Sequence, residues 1–325
     1  MRTIIVGKND AGQRLDKFLI KTFKALPVSL AYKFIRKKKI KVNRKRAAPE
    51  QILSEGDTLQ LFIPEEFLVK EGGSAHWKTI VPHIKPVYED ENIIICNKPA
   101  GMLVHSDSEG NTDTLINHIK AYLYRKSEYD PDTEQSFAPA LCNRIDRNTG
   151  GLVIAAKNAE ALRAMNELIR QGKVKKKYLC IAHGIFEKKS DTLKGYIKKD
   201  NQKNLVTVYK ETPSVEKARN VKAILTHYKV IAEKGAGDEA MSLLEVDLLT
   251  GRTHQIRAHL ASIGHPLLGD SKYGNCYNRR AIGYKHQALC ACSLEFDAFG
   301  PLKAVSVKLE PKDIWFVREF GVDKL

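Results

Sequence analysis

The segment Asn143–Lys157 reads NRIDRNTGGLVIAAK. It places one carboxylate, Asp146, between Arg144 and Arg147, four residues before a Gly150-Gly151 pair that opens the apolar run Leu152–Ala156. Five apolar residues in a row, opened by two glycines, predict a buried strand. Leu162, Met165, Leu168 and Ile169 then recur at helical spacing, so a helix over 160–171 follows it. A lone acid between two bases at the mouth of a buried strand fits two readings. One is a solvated turn; the other is a nucleophile kept ionised by cations.

Further strands are expected over 92–96, 178–182, 206–209, 223–230 and 243–248. The first is followed by a Lys98-Pro99-Ala100-Gly101 turn and a second short strand, and residues 126–138 read as a polar loop. Strands outnumber helices and come partly in runs, which predicts an α+β domain around a mixed, mainly antiparallel sheet over residues 86–325. Residues 1–64 form a separate small α/β unit. Asp10-Ala11-Gly12-Gln13 has the pattern of a capping box ahead of Leu15, Phe18 and Leu19. Pro27 and Ser29 start a second helix, Ile40 and Val42 alternate as a short strand, and a Glu55-Gly56-Asp57 turn leads to a strand over 58–63. Residues 65–85, with Gly72-Gly73-Ser74, read as a linker.

The chain has 325 residues, with 54 Lys and Arg against 38 Asp and Glu, for a net charge of +16. Residues 1–50 hold 15 of the bases and only 3 of the acids, so most of the excess sits there. Eight of the eleven residues from Arg36 to Arg46 are basic. Such a run is a solvated face, a localisation tag or a phosphate-binding surface. Because it spans the end of one helix and the start of one strand, its charges share a face. No run of about 18 apolar residues appears, so no membrane span is expected. The start MRTIIVGKNDAG lacks an apolar core of secretory length, so no signal peptide is expected either. The six cysteines include no CxxC pair, and Cys290 and Cys292 fit alternate strand positions, as reduced thiols of a cytoplasmic protein.

Several chemistries are excluded. GHPLLGDS, 264–271, mimics a P-loop but has Asp270 where the phosphate-binding lysine belongs. No GxGxxG and no HExxH occur, and His254 and His259, five residues apart, are about 140° out of phase on a helix. No metal site is expected. What remains is an ordered set: Arg144-Ile145-Asp146 with Thr149-Gly150-Gly151; the basic tract Lys175-Lys176-Lys177 ending in Tyr178; and TGRTHQIRAHL, 250–260. The last is a turn into a short helix with Thr253 as candidate N-cap and Gly264 and Pro266 beyond its end.

Together with NKPAGMLVH, 97–105, these motifs resemble the RluA-type pseudouridine synthases. The segment from about Ala11 to Ile63 resembles the S4 RNA-binding domain, so the resemblance covers nearly the whole chain. It implies the pseudouridine synthase fold and isomerisation of uridine in RNA, 23S rRNA being the expected substrate. Transfer RNA and a catalytically silent RNA-binding protein are the alternatives. By the same resemblance Asp146 is the attacking carboxylate, Arg257 its ion-pair partner, and Tyr178 the ring that stacks on the uracil. Arg144 enters the space that the flipped base leaves, Ile256 walls the pocket, Lys98 and Pro99 are structural, and Arg147 faces solvent. Arg36, Lys37, Lys38 and Lys39 are expected to meet RNA. The family's usual segment is H-R-L-D-x-x-T-S-G; here Asn143, Ile145 and Gly150 replace His, Leu and Ser. The reaction involves no redox change and no phosphate transfer, so no cofactor is expected, and the protein is expected to be a cytoplasmic monomer.

Overall fold

The computed structural model describes residues 1–69, 76–107, 110–200, 202–212, 214, 219–274 and 284–321. The chain divides into two compact units, one of Met1–His83, Ile116–Ala140 and Ala156–Arg163, the other of Ile84–Leu115, Leu141–Ala155 and Ala164–Leu325.

The first unit begins with strand β1 (Arg2–Ile5), helices α1 (Leu15–Thr22) and α2 (Val28–Arg36), and strands β2 (Ile40–Val42), β3 (Lys45–Arg46) and β4 (Thr58–Leu61). The strands form an antiparallel sheet in the order β1-β4-β2-β3. Leu15, Phe18 and Leu19 of α1 and Ala31 and Ile35 of α2 are buried with Ile40, Val42, Leu59 and Leu61 of the sheet. The expected capping box does not form. Helix α1 starts at Leu15 behind Arg14, which makes no side-chain cap. The Asp10 carboxylate instead accepts hydrogen bonds from the Ser136 N–H and hydroxyl, and Gln13 donates to the Asp10 carbonyl and to Ser136. A tertiary partner outcompeted the local one. Of the expected linker, Gly72-Gly73-Ser74 lies outside the described residues, while Trp77 packs against Tyr124 and Tyr129.

The remaining elements are β5 (Pro86–Glu89), β6 (Ile93–Lys98), α3 (Leu115–Arg125), β7 (Ala140–Leu141), β8 (Gly150–Ala156), α4 (Ala159–Arg170), β9 (Lys175–His183), β10 (Ser190–Asp200), β11 (Leu205–Tyr209), β12 (Lys222–Lys234), β13 (Met241–Leu248), α5 (Gln255–Ser262), β14 (Leu289–Phe296) and β15 (Val305–Lys308). The strands join, among the described residues, into one sheet ordered β11-β10-β12-β13-β9-β14-β8-β6-β5, with β15 on β14 and β7 on β8. The pairs from β11 through β9 to β14 are antiparallel and the β14–β8 pair is parallel. The sheet is therefore mixed and mainly antiparallel. Strand β8 is buried at every position from Gly150 to Ala156, as its apolar run demands. Cys290 and Cys292 lie on β14 and are buried. The short strand expected after Gly101 is reduced to a single bridge between Leu103 and Thr114. Helix α3 and strand β10 were not anticipated; β10 mixes Asp, Lys and Thr with few apolar residues, which hides its period.

Candidate active site

Asp146 lies in the loop between β7 and β8 in the second unit. Asn143 shapes the start of this loop. Its buried carboxamide accepts the Ile154 N–H at 2.7 Å, and the Cys142 N–H donates to the Ile154 carbonyl at 2.8 Å. The asparagine that replaces the commoner histidine thus bonds β8 directly. The loop closes with the Thr149 N–H donating to the Asp146 carbonyl at 3.0 Å, and Gln287 donates to the Thr149 hydroxyl. Gly151 then enters β8 at φ +110°, where a Cβ would stand 2.2 Å from the Ala291 carbonyl oxygen of β14. Only glycine lets the two backbones approach so closely.

Lys98, at the end of β6, is 1 % exposed. Its ammonium donates to the carbonyls of Pro99, Met102 and Arg147, at 2.8–3.0 Å. It ties the Lys98–Gly101 turn to the residue next to Asp146. Burial pulls its pKa down to about 7, against the opposing charge of Asp146. Arg147 is exposed, as expected, and donates to the Gly101 carbonyl. Arg144 is also exposed.

The Asp146 carboxylate is 28 % exposed and accepts Arg257 Nη1 on Oδ2 at 2.9 Å. Arg257 comes from α5 and is 4 % exposed. Its other face is held by Asp270, through Nε to Oδ2 at 2.7 Å and Nη2 to Oδ1 at 2.9 Å. Burial opposes the guanidinium's charge, but the two carboxylates outweigh it and hold its pKa above the ordinary arginine value. Burial likewise pushes Asp270 up, yet Arg257 and the N–H groups of Lys272 and Tyr273 bring its carboxyl below the usual range. A bidentate fork of this kind fixes the plane of the guanidinium. Of the three N–H bonds that this leaves, one on Nη1 points at Asp146.

Tyr178 sits on β9 between Val246 of β13 and Ala291 of β14 and is 7 % exposed. Burial, and then the charge of Asp146, raise its pKa, so the phenol stays neutral. Ile256 is buried on α5. The expected N-cap, Thr253, is displaced by His254, which enters α5 in the left-handed region at φ +54° and makes no cap hydrogen bond. The two histidines of the segment part company. His254 Nε2 lies 3.8 Å from Asp146 Oδ2, while His259 bonds the Thr226 hydroxyl.

Sequence reasoning missed Asp270, His254 and Tyr273 as members of the site. Asp270 stands out in the sequence only as the residue that spoils a P-loop. Its spacing from Arg257 carries no periodic signal.

In the first unit Arg36 ends α2, and Lys37, Lys38 and Lys39 follow it, all exposed. Asn43 and Arg44, both with positive φ, make the two-residue turn from β2 to β3. This turn brings Arg46 back to the mouth of a groove of about 490 Å³ that Arg36 also lines.

An RNA pseudouridylate synthase family model matches residues 92–262 and an S4-domain model matches residues 13–59. The chain belongs to the RNA pseudouridylate synthase family and is an RNA-modifying isomerase with an N-terminal S4 domain. It is 32% identical to an uncharacterized RNA pseudouridine synthase of Mycoplasma genitalium, over 90% of this chain and 88% of that one. It is 30% identical to the ribosomal large subunit pseudouridine synthase C of Salmonella typhimurium, over 91% and 88%, and to that of Escherichia coli, over 85% and 80%. The fold is shared with human RNA pseudouridylate synthase domain containing 1, at a TM-score of 0.55 and 22% identity over 74% of this chain and 85% of that one. No described helix is long and apolar enough to cross a membrane.

Proposed function

We propose that this synthase converts uridine to pseudouridine in large-subunit rRNA, the 23S RNA of a bacterial cytoplasm, with Asp146 as the attacking carboxylate. The observation that carries the proposal is a part-exposed carboxylate paired with an arginine, Arg257, that is itself buried and locked by a second acid. Attack by Asp146 at C1′ of the sugar or at C6 of the base leads to the same outcome. The N1–C1′ bond breaks, the uracil turns, C5 bonds to C1′, and the C5 hydrogen leaves as a proton. Arg257 keeps the carboxylate charged and oriented. The Tyr178 ring offers a stacking face worth about 1–3 kcal/mol to an extruded base. Arg144, exposed one residue from Ile145, occupies the gap in the RNA, offsetting part of the few kcal/mol that extrusion costs. One C–N bond is exchanged for one C–C bond without redox change, so the step calls for no cofactor. The choice of rRNA rests on the large-subunit relatives and on the exposed basic run of Arg36, Lys37, Lys38 and Lys39 in the S4 domain.

Asp146→Asn keeps size and removes the charge. It is expected to abolish tritium release from RNA labelled at uracil C5 while binding RNA as the wild type does. Release at an appreciable fraction of the normal rate would remove Asp146 from its role. Carbodiimide mapping of rRNA from cells with and without the gene identifies the target; unchanged rRNA with a lost tRNA pseudouridine would move the substrate to tRNA.

A further inference from the structure

The side of Asp146 next to Arg257 is bounded by a chain of hydrogen-bonding groups that the isomerisation chemistry leaves unused. Tyr273 stands at its centre. Its hydroxyl accepts the Val206 N–H at 3.0 Å and lies 2.9 Å from His254 Nδ1. Its ring lies under the Arg257 guanidinium, 5.3 Å from Cζ to the centroid. The His254 side chain is 7 % exposed, and its Nε2 faces Asp146 Oδ2 at 3.8 Å.

These contacts bear on the imidazole's tautomer, which sets who donates between His254 and Tyr273. The phenol has one proton and already accepts from Val206. If Nδ1 carried hydrogen, the phenol would accept two hydrogen bonds and its own proton would have no acceptor among the described residues. With the phenol donating to Nδ1, both the phenol and Nδ1 are satisfied and the ring hydrogen sits on Nε2, on the side of Asp146. Burial is the first of the effects that pull the His254 pKa down, to about 4; Arg257 and Lys272 add to it and Asp146 and Asp270 oppose it, so the ring stays neutral. The backbone takes part in this arrangement too: His254 stands at φ +54°, in the left-handed region that few non-glycine residues enter and where histidine is among the commoner ones.

We infer that His254 is a positioning residue, a neutral Nε2–H donor oriented by Tyr273, which with Arg257 engages Asp146 Oδ2 and leaves Oδ1 to meet the nucleoside. At 3.8 Å the donor is beyond hydrogen-bond range in the free protein; substrate binding closes that gap. The inference rests on the reading of Asp146 as the reacting carboxylate.

Tyr273→Phe removes the tautomer-fixing proton and keeps the ring under Arg257. His254→Asn keeps a residue type that tolerates the left-handed region and shortens the donor. Two measurements apply. In the full-length wild-type enzyme, nitrogen-15 correlation spectra of the imidazole are expected to show hydrogen on Nε2 and a hydrogen-bonded, unprotonated Nδ1. In Tyr273→Phe the two tautomers are expected to mix. In single-turnover tritium release, Tyr273→Phe is expected to lose about tenfold in rate, roughly the worth of one hydrogen bond, and His254→Asn about 10²-fold, as for a misplaced reacting group. RNA affinity is expected to stay within about twofold for both. His254→Gln, which can place an N–H near the Nε2 position, is expected to recover part of the loss seen in His254→Asn. Hydrogen on Nδ1 in the wild type, or wild-type turnover in both His254→Asn and Tyr273→Phe, would overturn the inference. If Asp146→Asn also turned over normally, the reading of Asp146 would fall with it. If Asp146→Asn were inactive, only the role of His254 would be lost.

Discussion

Asp146, Arg257 and Asp270 form a set in which each charge depends on the next. Arg257→Met would leave Asp270 buried with its guanidinium gone and Asp146 without its ion-pair partner. Removing one member of a buried pair costs about 3–5 kcal/mol. Arg147 is exposed and donates to the Gly101 carbonyl, so Arg147→Met is expected to change stability by less than about 1 kcal/mol. Single-turnover rates and urea midpoints of both variants, measured side by side, test the contrast; equal losses would mean that Arg257 is not the cation that matters. Lys98 makes a different prediction. Burial depresses its pKa from 10.5 to about 7. Between those values the unfolded chain binds a proton that the folded chain lacks, so this group's contribution to stability rises with pH across the window. It is fully present above the unfolded value and lost as pH falls toward the folded one. Lys98→Met abolishes the effect. The wild type's stability relative to the variant is therefore expected to grow by up to about 1.4 kcal/mol per pH unit between about pH 7.5 and 9.5, and to level off below about pH 6.5. Urea denaturation of the pair at several pH values measures it, and a flat difference would show that Lys98 stays charged in the fold.

The loop that presents Asp146 is set by how β8 enters the sheet. Gly150 and Gly151 look alike in the sequence, but the register pairs them with Cys290 and Ala291 of β14 and gives them unequal roles. At Gly150 a Cβ would meet the Lys98 carbonyl oxygen at 3.5 Å, an ordinary contact. At Gly151 it would collide with the Ala291 backbone at 2.2–2.8 Å, at a φ that side chains avoid. Gly151→Ala is expected to lose roughly 2–6 kcal/mol, the sum of backbone strain and overpacking, and Gly150→Ala no more than about 1.5 kcal/mol. Thermal denaturation of the two variants decides the matter. Equal tolerance would mean that β8 and β14 can separate here without harm. The Cβ of the serine commoner at position 150 would meet only ordinary contacts on the same geometry.

The charge of the chain is concentrated where its S4 domain lies. Neutralising Arg36, Lys37, Lys38 and Lys39 to Gln in the full-length protein is a cleaner test than truncation. Asn9, Asp10 and Gln13 bond Glu134 and Ser136 within the same compact unit, and Asn9 also accepts the Ala159 N–H. Cutting the chain after residue 64 would strip those groups of their partners. Every phosphate that a missing cation no longer neutralises should reduce the slope of log K against log salt by roughly 0.7–0.9. Filter binding to a large rRNA fragment over a salt series is expected to show a flatter line for the fourfold variant, with turnover on a saturating short stem-loop little changed. An identical slope would make the basic run a solvated face.

Contiguous residues carried what the chain could announce about itself. The apolar run of β8, the 3.6-residue spacing of α4, the charge excess of residues 1–50 and the ordered motifs around Asp146, Tyr178 and Arg257 were all legible, because each is a property of neighbours in sequence. The Asp146–Arg257 pair was expected through family resemblance, although 111 residues separate its members. Asp270, His254 and Tyr273 were not expected, and neither was the fate of Asp10. A carboxylate in GHPLLGDS carries no mark that says which guanidinium it will meet, and a histidine after Arg252-Thr253 carries none that says its backbone will be left-handed. Such roles depend on which groups lose their water together when β8, β9, α5 and the segment before β14 are brought into one unit. A buried charge or hydrogen bond must then be answered by whatever group stands nearest, and proximity across the sheet is a property that no stretch of neighbouring residues contains.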